Sequence, residues 1–144
     1  MKNKQVIFLA GLAMILFYAG YLVNTPSIVS PPATKDLTIK KIDNVWKVVD
    51  GQNKTKIHVK GGDKITWLAS GSDVTFNFPD AKYLKHETTG EDLPNGYTAP
   101  LKNGKKFKLK IKDNAKQDTI VYSVFVNIDS VYAVGSSPPK IIID

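Results

Sequence analysis

An uncharged apolar run and the alternating pattern after it divide the chain into two kinds of segment. The run of 18 residues extends from Val6 to Val23, behind Lys2 and Lys4. From Asp36 onward, apolar and polar residues alternate with a period of two, which is the pattern of β-strands that bury one face. The pattern therefore predicts one apolar helix followed by an all-β domain.

The apolar run is long enough to cross the hydrocarbon core of a bilayer, which takes about 20 helical residues. Because two lysines precede it, we expect residues 1–5 in the cytoplasm and residues 6–23 as an uncleaved transmembrane signal-anchor. A cleaved signal peptide is the alternative, but such peptides have a shorter apolar region and an A-x-A-like site after it. Both interpretations place the rest of the chain in the periplasm or outside the cell. The signal-anchor interpretation predicts a single-pass protein of the inner or cell membrane.

Residues 24–35 contain three prolines and are predicted to form an extended linker, followed by a domain over residues 36–144. Strands are predicted around Leu37 and Ile39 and at residues 45–49, 56–60, 64–69, 74–78, 105–112, 119–127 and 141–143. The segment 119–127 is apolar on both faces, so we expect it at the centre of a sheet. Seven or eight short strands separated by turns are typical of a Greek-key β-sandwich.

Residues 79–104 show no clear strand pattern. We predict a long loop here, with one short helix over residues 81–86. Long loops on small domains are often functional, and this one contains Tyr83, His86 and Tyr97. These three residues are candidates for contact with a partner.

The composition narrows the classes of function. All 20 basic residues are lysine, and the absence of arginine argues against specific nucleic-acid recognition, which relies on the bidentate guanidinium. The chain also lacks cysteine, which excludes disulfides and thiolate metal ligands. Lysines alternate with apolar residues in Phe107–Lys112, as on the solvated face of a strand. Attraction to an anionic membrane surface is the functional alternative.

Several motifs, in order along the domain, resemble those of the cupredoxins. Ile57–Trp67, with its Gly-Asp turn, is similar to the strand-turn-strand of that family, and Val74–Phe76 is similar to the strand that follows. Tyr122–Val126 resembles the strand before the copper-binding loop, and Gly135 with Ile141–Ile143 resembles the ending. The resemblance covers residues 55–143. It implies a cupredoxin-like β-sandwich.

The copper ligands of that family have no counterparts in this chain. A blue-copper site needs two imidazoles, one thiolate and a weak axial sulfur. The resemblance assigns the first histidine position to Ser72, the cysteine to Val126, the second histidine to Val131 and the methionine to Ser136. None of these side chains is the required ligand, so the resemblance implies the fold without electron transfer. We therefore predict neither a metal site nor a cofactor.

No catalytic constellation is recognisable, because neither His58 nor His86 has the context of a base beside a nucleophile. We predict that the chain is not an enzyme. It is interpreted as a membrane-tethered binding or assembly module that contacts another exported or envelope protein and no nucleic acid. Besides the loop residues, Tyr132 is a candidate contact, near the vacated ligand positions. The alternative is an exported metal-handling protein that binds a divalent ion weakly through His58, His86 and the loop acids Glu87, Glu91 and Asp92.

Overall fold

The structure is a computed structural model that describes residues 30–134 and 138–144. The predicted span at 6–23, the first half of the predicted linker and Ser136 lie outside the described residues. In the part described, no helix has the length and apolar character needed to cross a membrane. The strands are β1 (Thr34–Ile42), β2 (Val45–Val49), β3 (Lys56–Val59), β4 (Lys64–Ala69), β5 (Val74–Phe78), β6 (Leu84–His86), β7 (Tyr97–Leu101), β8 (Lys106–Ile111), β9 (Asp118–Val121), β10 (Ser123–Val126), β11 (Val131–Tyr132) and β12 (Lys140–Ile143).

These strands form three sheets. The five-stranded sheet has the order β2-β1-β4-β8-β6, the four-stranded sheet β11-β10-β5-β7, and the three-stranded sheet β3-β12-β9. β1 runs parallel to β4, and β3 runs parallel to β12. Only Tyr122 separates β9 from β10, so one extended stretch of chain links the two smaller sheets.

Trp67 lies at the centre of the core between the sheets. Its side chain is fully buried, and its ring lies 5.6 Å from that of Phe76 and 6.0 Å from that of Phe78, measured between centroids. Trp67 belongs to the five-stranded sheet and the two phenylalanines to the four-stranded sheet, so these sheets face each other across the core. Its indole Nε1 donates a hydrogen bond of 3.1 Å to the hydroxyl of Tyr122.

The predicted all-β class is confirmed, and several predicted strands have the observed bounds. β2, β4 and β5 begin and end where the alternation placed them. The predicted inward residues Ile57, Val59 and Ile65 are buried, whereas His58 between the first two is exposed. Alternation gives the correct face here because one side of each strand packs into the core.

The segment 79–104 is not one long loop, and the predicted helix at residues 81–86 is wrong. The chain makes a turn in which the N–H of Leu84 donates to the carbonyl of Ala81. It then enters β6, which pairs with β8, and later β7, which pairs with β5. β6 is only three residues long and β7 contains Pro100, a residue confined to edge strands. β6 is too short to show an alternating pattern, and in β7 the outward Pro100 replaces the polar residue that alternation would require.

Two predicted boundaries differ from the structure. The segment 119–127 is interrupted at Tyr122, whose N–H donates to the carbonyl of Pro139. Its second half, β10, lies between β11 and β5 as predicted, whereas its first half, β9, lies at the edge of the three-stranded sheet. At the other end of the domain, β1 begins at Thr34, within the predicted linker. Ala33 is held there by a hydrogen bond of 2.7 Å from its N–H to the carboxylate of Asp63.

Candidate functional site

The positions that the resemblance assigns to copper ligands have other contacts here. Ser72 is buried, and its hydroxyl donates to the carbonyl of Asp73 at 2.7 Å and accepts from the N–H of Ile128 at 3.1 Å. Val126 is fully buried in the core. Val131 pairs with Val126 across β11 and β10 but is half exposed. Ser72 therefore holds the backbone at Ile128. The side chains of the two valines have no atom that could coordinate a metal.

The side chains required for a divalent site are dispersed. His58 lies in the three-stranded sheet with its Nδ1 3.0 Å from Oδ1 of Asp144, whereas His86 lies in the five-stranded sheet. Glu87 accepts from Nζ of Lys64 at 2.7 Å, and this hydrogen bond holds the pKa of Glu87 below its usual value. Across residues 30–134 and 138–144, no three histidine or acidic side chains are grouped for a metal ion.

A strap formed by residues 128–134 connects the edges of two sheets. Its β11 portion pairs with β10 at the edge of the four-stranded sheet. Val134 then donates its N–H to the carbonyl of Trp46 at 2.8 Å and bridges to Lys47 of β2, the edge of the five-stranded sheet. Between them, Ala133 is buried. The strap thus joins the two sheets along one edge of the sandwich.

The strap is held in place by Asp129. Its carboxylate accepts from Nζ of Lys41 at 2.7 Å and from Nε1 of Trp46 at 2.5 Å. These two hydrogen bonds, the one from Lys41 first, keep the pKa of Asp129 below its usual value. The indole of Trp46 is otherwise buried. The strap therefore supplies the hydrogen-bond acceptor for this indole N–H, in addition to the backbone hydrogen bonds that it forms itself.

Large apolar side chains on and beside the strap point into solvent. Ile128 is 68% exposed and Tyr132 is 64% exposed, and three valines are exposed to between 38% and 43%. The aromatic ring of Tyr132 contacts Phe125 edge-on, with centroids 5.3 Å apart. We call this set of exposed residues the apolar end; it consists of Val45, Ile128, Val131, Tyr132 and Val134. Clusters of exposed apolar side chains on soluble domains commonly mark interaction sites.

The predicted contact residues fall on different surfaces. His86 and Tyr97 are brought together, with ring centroids 5.4 Å apart, and line a shallow cleft of about 380 Å³ with Phe107. Burial raises the pKa of Tyr97. Tyr83 is packed against the core instead, with Nζ of Lys82 5.2 Å above its ring. Tyr132 lies on β11, at the opposite edge of the four-stranded sheet from the β7 residue Tyr97.

Neither Ile128 nor Val45 is among the contact residues predicted from the sequence. The available signal was the spacing of Ile128, Val131 and Val134 within a segment that otherwise reads as turns. These three residues recur every third position, which is not the period of two of a strand, so the sequence indicates apolar side chains here without assigning them to an element. Their exposure became visible only with the packing of the strap.

No protein-family model and no curated protein matches the chain. Solved structures that resemble it include amicyanin from Paracoccus versutus (Thiobacillus versutus), with 12% identity, coverage of 81% of this chain and 83% of that chain, and a TM-score of 0.41. An oxidized amicyanin mutant shows 15% identity, coverage of 83% and 88%, and a TM-score of 0.42. Scores at this level do not define a shared fold, so the all-β assignment rests on the strand pairing of this chain.

Proposed function

We propose that the chain is a membrane-tethered binding or assembly module outside the cytoplasm, with a copper-free, cupredoxin-like sandwich. In this proposal, residues 6–23 hold it in the inner or cell membrane as a single-pass protein. The domain contacts another exported or envelope protein through the apolar end. The observation that carries the proposal is the exposure of Ile128 and Tyr132 on a strap that is itself tightly held.

A fixed apolar surface loses little conformational entropy when it binds a partner. Exposing apolar area to water is unfavourable by about 25 cal/mol per Å², and neither Ile128 nor Tyr132 is among the residues of the core. The hydrogen bonds of Asp129 and Val134 hold the strap before any partner arrives, which lowers the cost of ordering it on binding. Tyrosine, the residue type of Tyr132, is also one of those enriched among interface hot spots.

The absence of suitable ligands supports a copper-free module. Thiolate and imidazole ligands define blue-copper centres, and Ser72 and Val126 supply neither. The metal-handling alternative through His58 and His86 has no comparable support, because the two histidines lie in different sheets. The binding role is therefore the function that the contacts favour.

The contact is tested with a double variant, Ile128→Ser with Tyr132→Ser, in the full chain. Surface substitutions of this kind usually change the free energy of unfolding by less than about 0.5 kcal/mol, so the variant should fold. We expect the protein that crosslinks to the wild-type chain in intact cells to be lost from the double variant. Val121→Ser is the matched control, since Val121 is an exposed valine on β9, in another sheet. Equal recovery of the partner by the double variant would contradict the proposal.

The membrane tether is tested separately by extracting membranes with alkaline carbonate. We expect the full chain to stay in the pellet. The mass of the mature protein should show that its N-terminal residues have not been removed. Release into the supernatant, with a shortened N-terminus, would favour the cleaved signal peptide instead.

A further inference from the structure

The outward face of the five-stranded sheet is rich in lysine. Alternate residues of β8 point away from the core, and the strand register places further lysines beside them. Lys110 lies opposite both Lys64 on β4 and Lys85 on β6, and Lys40 on β1 lies opposite Lys47 on β2. We call this surface the lysine face; it consists of Lys40, Lys47, Lys64, Lys85, Lys106, Lys108 and Lys110.

Three acids lie on or beside this face. Asp36 is an outward residue of β1, opposite Thr66 of β4, and the other two acids form ion pairs with lysines of the face. Glu87 pairs with Lys64 at 2.7 Å and with Lys108 at 3.7 Å. Asp113 pairs with Lys110 at 3.1 Å and with Lys85 at 3.5 Å. At Glu87 and at Asp113, one carboxylate faces two lysines. An excess of positive charge therefore remains at each of these acids.

The remaining three lysines of the face have no such pairing. Lys40, Lys47 and Lys106 form no ion pair with any acid among residues 30–134 and 138–144. Lys40 and Lys47 are also direct cross-strand neighbours, an arrangement of like charges that destabilises a sheet. An anion from outside the domain would remove this repulsion.

The outward face of the four-stranded sheet differs from the lysine face in charge. The outward positions of the four-stranded sheet in β5, β7 and β10 are polar and uncharged or apolar; they are Thr75, Asn77, Thr98, Pro100, Ser123 and Phe125. The four-stranded sheet therefore has none of the charge of the lysine face, whereas the three-stranded sheet places Lys56 opposite Lys140.

We propose that the lysine face docks on the anionic phospholipid headgroups of the membrane that holds the chain. This inference rests on the proposed tether, because residues 24–33, between the predicted span and β1, reach at most about 36 Å when extended. A broad sheet of lysines suits a diffuse field of phosphates, whereas recognition of single phosphates favours the arginine fork. At physiological salt the attraction acts over about 8 Å, so the face must lie close to the headgroups.

The test uses the full chain in nanodiscs of phosphatidylcholine alone or with about one third phosphatidylglycerol. Because the chain has no cysteine, Lys108→Cys allows one fluorescent label on the lysine face. Thr98→Cys places the same label on the exposed outer side of β7. We expect energy transfer from the Lys108 label to headgroup acceptors to rise with phosphatidylglycerol and fall again in high salt, with a smaller response from the Thr98 label.

The charge requirement is tested by Lys40→Gln, Lys47→Gln and Lys106→Gln together. Each lysine near an anionic surface contributes about fivefold to the docked population, so the triple variant should lower the ratio of docked to free domain by on the order of 100-fold. The matched control replaces Lys54, Lys56 and Lys140 by Gln, which removes the same charge outside the face. Equal losses in the two triple variants would overturn the proposal in favour of a net-charge effect.

The remaining outcomes separate this inference from the tether. If the full chain elutes without the nanodiscs, the tether fails, and cosedimentation of the same chain with phosphatidylglycerol vesicles then tests the face alone. If the chain stays in the discs but the Lys108 label responds equally to both lipids, the docking proposal is wrong while the tether stands. Binding to inorganic polyphosphate without any lipid response would assign the face to a soluble polyanion and overturn the lipid proposal.

Discussion

At the scale of single residues, Tyr122 shows how one hydroxyl stabilises the core. It is the acceptor for the indole N–H of Trp67 at 3.1 Å, and burial raises the pKa of Tyr122 far above its usual value. Tyr122→Phe keeps the ring but leaves the indole N–H without a partner, which costs about 1–3 kcal/mol. Urea unfolding should show this loss, with Tyr132→Phe as the exposed control. An unchanged midpoint for Tyr122→Phe would show that the hydrogen bond contributes nothing.

The vacated ligand positions give a second prediction at this scale. The wild-type chain should develop no blue absorption band with Cu²⁺, because it has no thiolate. Val126→Cys alone should not restore it either, since Ser72 and Val131 still supply no imidazole. Absorption spectroscopy after copper addition checks both chains. A blue band from the wild type would overturn the ligand assignment and the copper-free proposal.

At the scale of elements, the strap depends on Asp129. Asp129→Ala removes the acceptor for both Lys41 and Trp46, so the strap should open more often while the sheets stay paired. We expect faster proteolytic cleavage within residues 128–134 and a lower melting temperature than in the wild type. Asp80→Ala is a control, because Asp80 is exposed and its carboxylate makes only local contacts with Lys82, at 3.4 Å from Nζ and 3.0 Å from the backbone N–H. Cleavage at the wild-type rate would contradict the anchoring role.

The same scale shows what could be predicted from sequence. β4 and β5 were found with their inward residues, because each buries one face and its alternation is regular. The strap could not be predicted, because the hydrogen bond from Trp46 to Asp129 joins residues 83 positions apart in the sequence. Local patterns report which face of a strand is apolar, but not which distant segment covers it. The contact between His86 and Tyr97 depends in the same way on which distant strands pair. So does the lysine face, because its residues come together through the register of those strands.

At the scale of the whole molecule, lysine–carboxylate pairs make stability depend on acid pH. Lysine contacts lower the pKa of Asp73, Glu87, Asp113, Asp118 and Asp129. A carboxylate whose pKa is lower in the folded state stabilises the fold above its unfolded pKa, here 3.8 for Asp and 4.5 for Glu, and this stabilisation is lost as pH falls through the folded pKa. The melting temperature should therefore fall below about pH 4.5. Salt should reduce the dependence, because these pairs are exposed. A melting temperature unchanged down to pH 2 would contradict this account.

The most direct test of the central claim places a photoactivatable phenylalanine analogue at position 132 of the full chain in intact cells. The account predicts a discrete crosslinked protein from this position, in the membrane fraction, that is lost when Ile128 is changed to Ser. The same analogue at position 98, on the polar outer face of β7, should give no such product. Absence of a product from position 132, or an equal yield from position 98, would contradict the claim that the apolar end binds a partner.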